Sequence, residues 1–347
     1  MNKYYLFMLS SLLFWSCSNN HISAQNSTSF TSFAKEEKPT PQKFIDFPSG
    51  KVNKIFLKDS LLIVRNTKLT VRDYFFFIYN LRTKKLLDSQ FKVGSNANEI
   101  LSPMSTGIYK NLLWAHDITT KKIVTQPVLK RPDDRSGSKE FGLKSLLYSV
   151  QLTDSSRIFA NGDYKKTSKI QLIDLPSDQV IKAFGQYDTA PKGIDPAAWR
   201  NANESFLFLQ PKGEKLVSAC RFTDKIEIFN LSTFKSKIIS GPENYEPEFN
   251  PIKFNGSYII ERNEKTRFAF VNGYVTDKYI YLLYSGNNHM SEHLDYGKTI
   301  FVYDWEGNAI KKLNLPAYIS CFAISNDKTA YIFDIKDKAI KTIILNL

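Results

Sequence analysis

The chain has 347 residues, 42% hydrophobic, 23% charged and 14% aromatic, with 15 Gly, 14 Pro and a formal net charge of +13. That balance excludes a disordered or collagen-like chain, and 26 Phe with 18 Tyr favour strands. Three cysteines exclude a dense disulfide scaffold.

Residues 1–16 read as a signal peptide. Lys3 gives a positive start, and Tyr4 to Trp15 form an apolar run interrupted only by Ser10 and Ser11. That run is too short to span a bilayer, and no second run of about 18 apolar residues follows. Ser16 then Cys17, with polar residues at once behind, resembles a bacterial lipobox. Cys17 is therefore the expected lipid-attachment site and new N-terminus; the rival is ordinary secretory cleavage further on, after Ala24. Residues 17–41 are rich in Ser, Asn, Thr, Lys and Pro and are expected to be a flexible tether. Export to the outer membrane, facing periplasm or cell surface, removes nucleic acid from the partners. Loss of residues 1–16 removes one charge, Lys3, and leaves +12. Such a charge favours acidic glycans or lipid head groups, but Lys and Arg are scattered along the chain, so a solvated surface is the expectation.

From residue 42 to 347 one pattern recurs: an apolar strand, an Asp or Asn, a turn, then a second short strand. Its anchors are Asn80, Asp117, Asp174, Asn230, Asp304 and Asp334, as in FFFIYNLRTKKLL (75–87) and KIEIFNLSTFKSKI (225–238). Asp and Asn side chains bond the local backbone and start turns. Gly307 in DWEGN suits a turn needing positive φ. Upstream hairpins such as FLFLQPKGEKLVSACRF complete units of four antiparallel strands, about 45 to 60 residues each, which is the signature of a β-propeller. The anchor spacings of 37, 57, 56, 74 and 30 residues give six units. The short last step places Asp334 on a second strand, so the last blade lacks a fourth strand, which QKFIDFP (42–48) can supply by closing the ring. Blade 2 is the least regular, interrupted by residues 130–142. DPAAWRNAN (195–203) alone suggests a helix, with Asp195 as N-cap and Pro196 in the first turn.

The block YLLYSG to KKLNLP (281–316) and the segment VGSNANEIL (93–101) resemble Bacteroides-type lipoproteins with a TolB-like six-bladed propeller domain, although Ser95 and Ala97 stand where Gly or Pro is more usual. The resemblance spans residues 42–347 and implies an all-β, lipid-anchored propeller; it carries over no catalytic residue.

In four-stranded blades, the D-to-A and B-to-C connections share one face. The long segments 94–103, 185–204, 240–266 and 285–298 fall there, while opposite turns such as TDSS, PKGE and EGN are short. Long loops on a rigid scaffold commonly recognise ligands. Tyr187, Trp199, Arg200, Tyr245 and His289 are the candidate binding residues. His289-Met-Ser-Glu292-His293 matches H-x-x-E-H, a zinc-protease pattern, but that chemistry needs a helix and a third ligand, and this motif lies in a polar loop. An ordinary loop is the expectation, with a surface metal contact of His289, Glu292 and His293 as the minor alternative. His116 reads as a packed residue beside a turn, and Asp133 and Asp134 beside Arg131 and Arg135 as a solvated loop. Cys220 and Cys321, in apolar segments, read as buried free thiols, with a disulfide between them the open alternative in an exported protein. No cofactor motif is present. The expected role is non-catalytic binding of an envelope protein or an extracellular glycan or peptide. The rival is a hydrolase or lyase with its site at the central channel mouth; a passive spacer is a third reading.

Overall fold

Alternation of Val, Ile, Phe and Tyr with polar residues, cut every few residues by Asx turns, produces short twisted strands. The computed structural model describes residues 26–47, 50–67, 69, 73–129 and 137–347. The expected signal peptide, Cys17, and Arg131, Asp133, Asp134 and Arg135 lie outside the described residues.

Three N-terminal strands, β1 (Asn26–Ser29), β2 (Lys35–Glu37) and β3 (Gln42–Asp46), precede the first blade. Blade I contains β4 (Val52–Lys58), β5 (Leu61–Asn66), β6 (Tyr74–Asn80) and β7 (Leu86–Lys92). Blade II contains β8 (Pro103–Tyr109), β9 (Leu112–Asp117), β10 (Lys122–Pro127) and β11 (Lys139–Gly142). Blade III contains β12 (Ser149–Leu152), β13 (Arg157–Asn161), β14 (Ser168–Asp174) and β15 (Gln179–Gln186). Helix α1 (Pro196–Ala202) follows; its N-cap is Asp195, whose carboxylate accepts from Ala197 N at 2.7 Å. Blade IV contains β16 (Ser205–Leu209), β17 (Lys215–Cys220), β18 (Lys225–Asn230) and β19 (Ser236–Ser240). A separate hairpin, β20 (Asn250–Phe254) and β21 (Ser257–Glu261), stands in the next connection. Blade V has β22 (Phe270–Val275), β23 (Tyr279–Tyr284), β24 (Gly297–Asp304) and the first half of β25 (Ala309–Ser325). The second half of β25 opens blade VI, which continues with β26 (Thr329–Asp334) and β27 (Ala339–Ile344). β3 pairs antiparallel with β27 and closes the ring, as the missing fourth strand required.

The core is divided among the six blade interfaces. Ile63, Phe76 and Ile78 of blade I meet Leu113 and Ala115 of blade II. Trp114 meets Val150 and Ile158 across the second interface, and Phe159 and Phe184 meet Leu216 and Phe229 across the third. Val217 and Ile228 meet Leu282 and Phe301 at the fourth, and Val302 and Tyr281 meet Phe322 and Ile332 at the fifth. Cys321 and Phe333 meet Ile55 and Leu62 at the last, so the ring is closed by packing as well as by β3. Blade-on-blade burial of apolar surface is the dominant stabilising term.

All six anchors bond their own turns. Asn80 Oδ1 accepts from Arg82 N and Thr83 N, Asp174 Oδ2 from Ser177 N, and Asn230 Oδ1 from Ser232 N and Thr233 N. Asp304 Oδ1 accepts from Glu306 N and Asn308 N, and Asp334 Oδ1 from Lys336 N and Asp337 N. Gly307 has φ 82°, as its turn demands. Asp117, like Asp334, ends the second strand of its blade; blade II is irregular because residues 128–138 connect its third and fourth strands.

Two expectations need correction or extension. Residues 26–41 were expected to belong to the tether, yet they are laid along the propeller. β1 pairs in parallel with β19, and β2 with β25. Phe33, 7% exposed, packs on Phe301 with ring centroids 4.7 Å apart, and Lys311 Nζ meets Glu37 at 2.7 Å. Backbone pairing to open outer edges needs no apolar pattern, which is why a polar stretch can be ordered. The second is the β20–β21 hairpin inside segment 240–266. It turns at Asn255 (φ 46°) and Gly256 (φ 78°) and is joined to α1 by Ile260 N donating to Asn201 Oδ1 at 3.0 Å.

Cys220 and Cys321 are free and buried. Among the described residues no helix is long and apolar enough to cross a membrane.

Candidate functional site

The innermost strand of each blade turns one face to the axis, and these faces enclose a central channel of about 1110 Å³. Its walls come from β4, β8, β12, β16, β22 and β25, so every blade contributes. The four long segments 94–103, 185–204, 240–266 and 285–298 all lie on the end formed by D-to-A and B-to-C connections, as their positions between strands predict.

At that end the mouth is built around Arg221, the first residue after β17. Its Nη1 donates to Tyr148 Oη and, at 3.3 Å, to Glu204 Oε1, while Nη2 donates to Asp295 Oδ1 at 3.2 Å. Its guanidinium also lies 5.1 Å from the ring centre of Phe268 and 5.9 Å from that of Phe206. Backbone bonds fix it further: Arg221 N donates to Glu204 O at 2.8 Å, and Ala269 N to Arg221 O at 2.7 Å. Burial alone would weaken the guanidinium's charge, but Tyr148, Glu204 and Asp295 outweigh it and hold its pKa above the ordinary value. Burial raises the pKa of Glu204, and Arg221 only partly offsets it. Tyr148 is raised too, chiefly by burial and then by Glu204. Tyr148, Phe206, Arg221, Glu292, Asp295 and Tyr296 line the channel; Glu204 stands behind Arg221 and does not.

Deeper in the channel, Lys54 Nζ crosses to blade V and donates to Asn272 Oδ1 at 2.6 Å. Arg65 Nε donates to Asn53 Oδ1 at 2.7 Å, and its Nη1 to Pro103 O at 3.1 Å and Thr106 Oγ1 at 3.2 Å. Burial lowers Lys54 to about 8, with the charge of Arg65 adding to the effect, and burial lowers Arg65 to about 10.

None of the five binding residues expected from sequence lines this channel. Tyr187 sits beside Lys169, whose Nζ is 5.7 Å from its ring centre and 2.6 Å from Glu227. Trp199, 9% exposed, faces inward from α1, and Arg200 Nε donates to Tyr164 O at 2.7 Å. Tyr245 stacks under Arg267, 4.2 Å from the guanidinium, in a cluster where Tyr284 Oη donates to Glu243 at 2.6 Å. His289 lies nearly parallel to the Phe268 ring at 6.4 Å, while His293 packs against Tyr318 at 4.2 Å. The H-x-x-E-H motif is thus a run of turns whose two imidazoles rest on different rings, and only its Glu292 reaches the channel. Among the described residues no group of three or more His, Cys, Asp or Glu could hold a metal ion. His116 is buried at the end of β9, and burial drives its pKa down to about 4 although Asp117 pulls the other way. It packs beside its turn and does not touch the channel.

A family model described as TolB-like 6-blade propeller-like matches residues 34–327. Among solved structures, the chain is similar to a Bacteroides fragilis protein described as exported, at 14% identity and a TM-score of 0.56, over 93% of this chain and 99% of that one. It is also similar to the β-propeller domain of Cps50 (Swd1) from Myceliophteria thermophila, at 10% identity and a TM-score of 0.49, over 88% and 100%. No curated protein matches the sequence.

Proposed function

We propose, from the premise that this chain belongs to the TolB-like six-bladed propeller family, that it is an exported, lipid-anchored module that binds a ligand non-catalytically in its central channel. The signal-like residues 1–16 and Cys17 support export and lipid anchoring, and the Bacteroides fragilis neighbour is described as exported. The observation that carries the binding reading is the open channel whose mouth presents Tyr148, Phe206 and the immobilised Arg221. The rings of Tyr148 and Phe206 stand 5.9 Å apart, and aromatic faces beside a fixed guanidinium suit a sugar ring or a peptide side chain. A concave site of this size takes the end of a glycan or peptide; an envelope protein would have to insert a segment into it.

The test is glycan and peptide arrays with the full-length protein and Phe206→Ala. Binding that falls about tenfold or more in the variant is expected; unaltered binding by Phe206→Ala refutes the channel as the site. A pull-down from envelope extract, with Cys17→Ala as the unanchored control, reveals whether the ligand is presented by a protein.

One observation favours the hydrolase or lyase reading: Glu204, its pKa raised by burial, stands beside Tyr148 and Arg221 at the mouth. Its carboxylate is taken up by Arg221 and does not reach the channel, which favours binding. Release of a new reducing end or peptide fragment from an array hit would decide for the enzyme.

A further inference from the structure

Seven lysine and arginine side chains line the channel against two carboxylates, Glu292 and Asp295. Asp295 is engaged by Arg221 at the mouth, and Lys58 meets Asp59 at 3.1 Å at the other end. The two cations between them are different. Arg65 is buried in the channel wall with 7% exposure, Lys54 is half-buried beside it, and the groups they bond are neutral: Asn272, Gly273, Asn53, Pro103 and Thr106. Among the described residues neither forms an ion pair with an Asp or Glu. A cation enclosed by protein with neutral partners only is costly, and two of like sign on one wall cost more. The neutral partners orient the ammonium and guanidinium without cancelling their charge. Arg65 Nη2 has no partner among the described residues, and Phe208 covers Lys54 with its ring centre 5.4 Å from Nζ.

We infer that the channel binds an oxyanion at Lys54 and Arg65: the carboxylate of an acidic glycan or a phosphate group that enters from the loop-face mouth. This rests on the channel being the ligand site and assigns the class of ligand. With Nε and Nη1 of Arg65 taken by Asn53, Pro103 and Thr106, its charge and the two donors of Nη2 remain for an oxyanion, and Lys54 adds a point charge beside it. The aromatic mouth receives the uncharged remainder of the molecule.

Titration calorimetry on the full-length protein in detergent, at low ionic strength, tests this with three probes: trigalacturonate, uncharged maltotriose and inorganic phosphate. Trigalacturonate is expected to bind and maltotriose not to. Lys54→Met is expected to weaken trigalacturonate at least about tenfold while melting close to the parent, since the half-buried Lys54 has no ion pair to lose. Binding of phosphate alone, lost in Lys54→Met, supports the same anion site with a phosphate source. Equal binding of trigalacturonate and maltotriose, unaltered in Lys54→Met, overturns the anion assignment but leaves the channel reading standing. Binding of neither anion overturns the assignment, and the Phe206→Ala array then decides the channel separately.

The pH profile supplies an independent readout. Lys54 is faced by Arg65 from β5, by the Cys321 thiol from β25, by Asn272 and Gly273 from β22 and by Phe208 from β16. Burial pushes Cys321 up to about 12, so it is neutral here, and Arg65 titrates only about 10. Lys54, at about 8, is the group that loses its proton first. Affinity for trigalacturonate is therefore expected to be level below pH 7 and to fall about tenfold between pH 8 and 9. A profile flat to pH 9.5 overturns the role of Lys54.

Discussion

Asp117 is the anchor on which the loop face depends most, and its removal can be priced from its bonds. It is fully buried at the end of β9. Its carboxylate accepts from Leu101 N at 2.6 Å, Ser102 N at 3.2 Å, Thr119 N at 2.9 Å and Thr120 N at 3.3 Å. It therefore ties the end of segment 94–103 to its own turn. At a low value of about 1.5 kcal/mol for each bond to a charged acceptor, four bonds amount to about 6 kcal/mol. Leu101 and Thr119 lie at the exposed surface and can exchange the carboxylate for water, so roughly half of that, about 3 kcal/mol, is lost in Asp117→Ala. At about 2 to 4 °C per kcal/mol, the melting temperature should fall by roughly 6 to 12 °C. Asp304→Ala, at a more exposed turn, is the control and should lose less than half as much. Burial pushes the Asp117 pKa up, but the backbone donors outweigh it and hold the group below its ordinary value. A depressed folded pKa means stability present above the unfolded value of about 3.9 and lost as pH falls through the folded value. The gap between parent and Asp117→Ala, read by calorimetric melting, should thus be full at pH 6 and shrink below about pH 4. Equal melting of Asp117→Ala and Asp304→Ala, or a gap that widens in acid, refutes the reasoning.

Other outcomes follow from single contacts. Phe33→Ala should cost about 3 kcal/mol and expose residues 26–41 to protease, because Phe33 is the ring that seats this stretch on Phe301 and Tyr303; an unchanged digestion pattern would remove its anchoring role. A Cβ on Gly107 would approach the Trp114 ring to 2.7 Å, so Gly107→Ala should cost about 1 to 3 kcal/mol and shift tryptophan emission; emission and melting like the parent's would show that the ring moves freely. His116 folds neutral with a pKa of about 4, so it withdraws stability as pH falls from about 6.5 towards 4; His116→Gln should flatten the melting profile in that window, and an unaltered slope would assign it to other groups. Cys220 and Cys321 should resist a thiol reagent until the protein unfolds, and rapid labelling of either at pH 8 would contradict their burial.

The propeller was legible because its turns are local. An Asx side chain bonds a backbone N–H two or three residues on, so Asn80, Asp174, Asn230 and Asp304 mark blade positions without reference to the rest of the chain. Five anchors share a further local mark: Lys84, Lys121, Asp178, Phe234 and Lys338, each four residues later, have positive φ between 49° and 59°. Closure by β3 was legible by counting, since the last unit is a strand short. The β1 and β2 pairings were not, because they are made by backbone to an edge, and only Phe30 and Phe33 within a polar stretch hinted at a seat. The β20–β21 hairpin did carry a signal, Asn255-Gly256 between two apolar pairs, inside a segment taken whole as a loop.

The proposed channel site was illegible for the opposite reason. Residue types in long loops drew attention to Tyr187, Trp199, Arg200, Tyr245 and His289, but those loops fold back over the blades, and their side chains pack on Lys169, Tyr164, Arg267 and Phe268. The channel is assembled a few residues at a time from six inner strands, so Lys54, Tyr148, Phe206 and Arg221 share no spacing. In VNKIFLK, Lys54 looks like the solvent-facing partner of Ile55, and locally it is. What alters its meaning is that β4 is the first strand of its blade, whose polar face turns to the axis. Lysines scattered along the chain can therefore converge in space. A charge of +13 scattered along the sequence leaves seven cations and two carboxylates around one channel, and that imbalance is what a ligand would meet on entering.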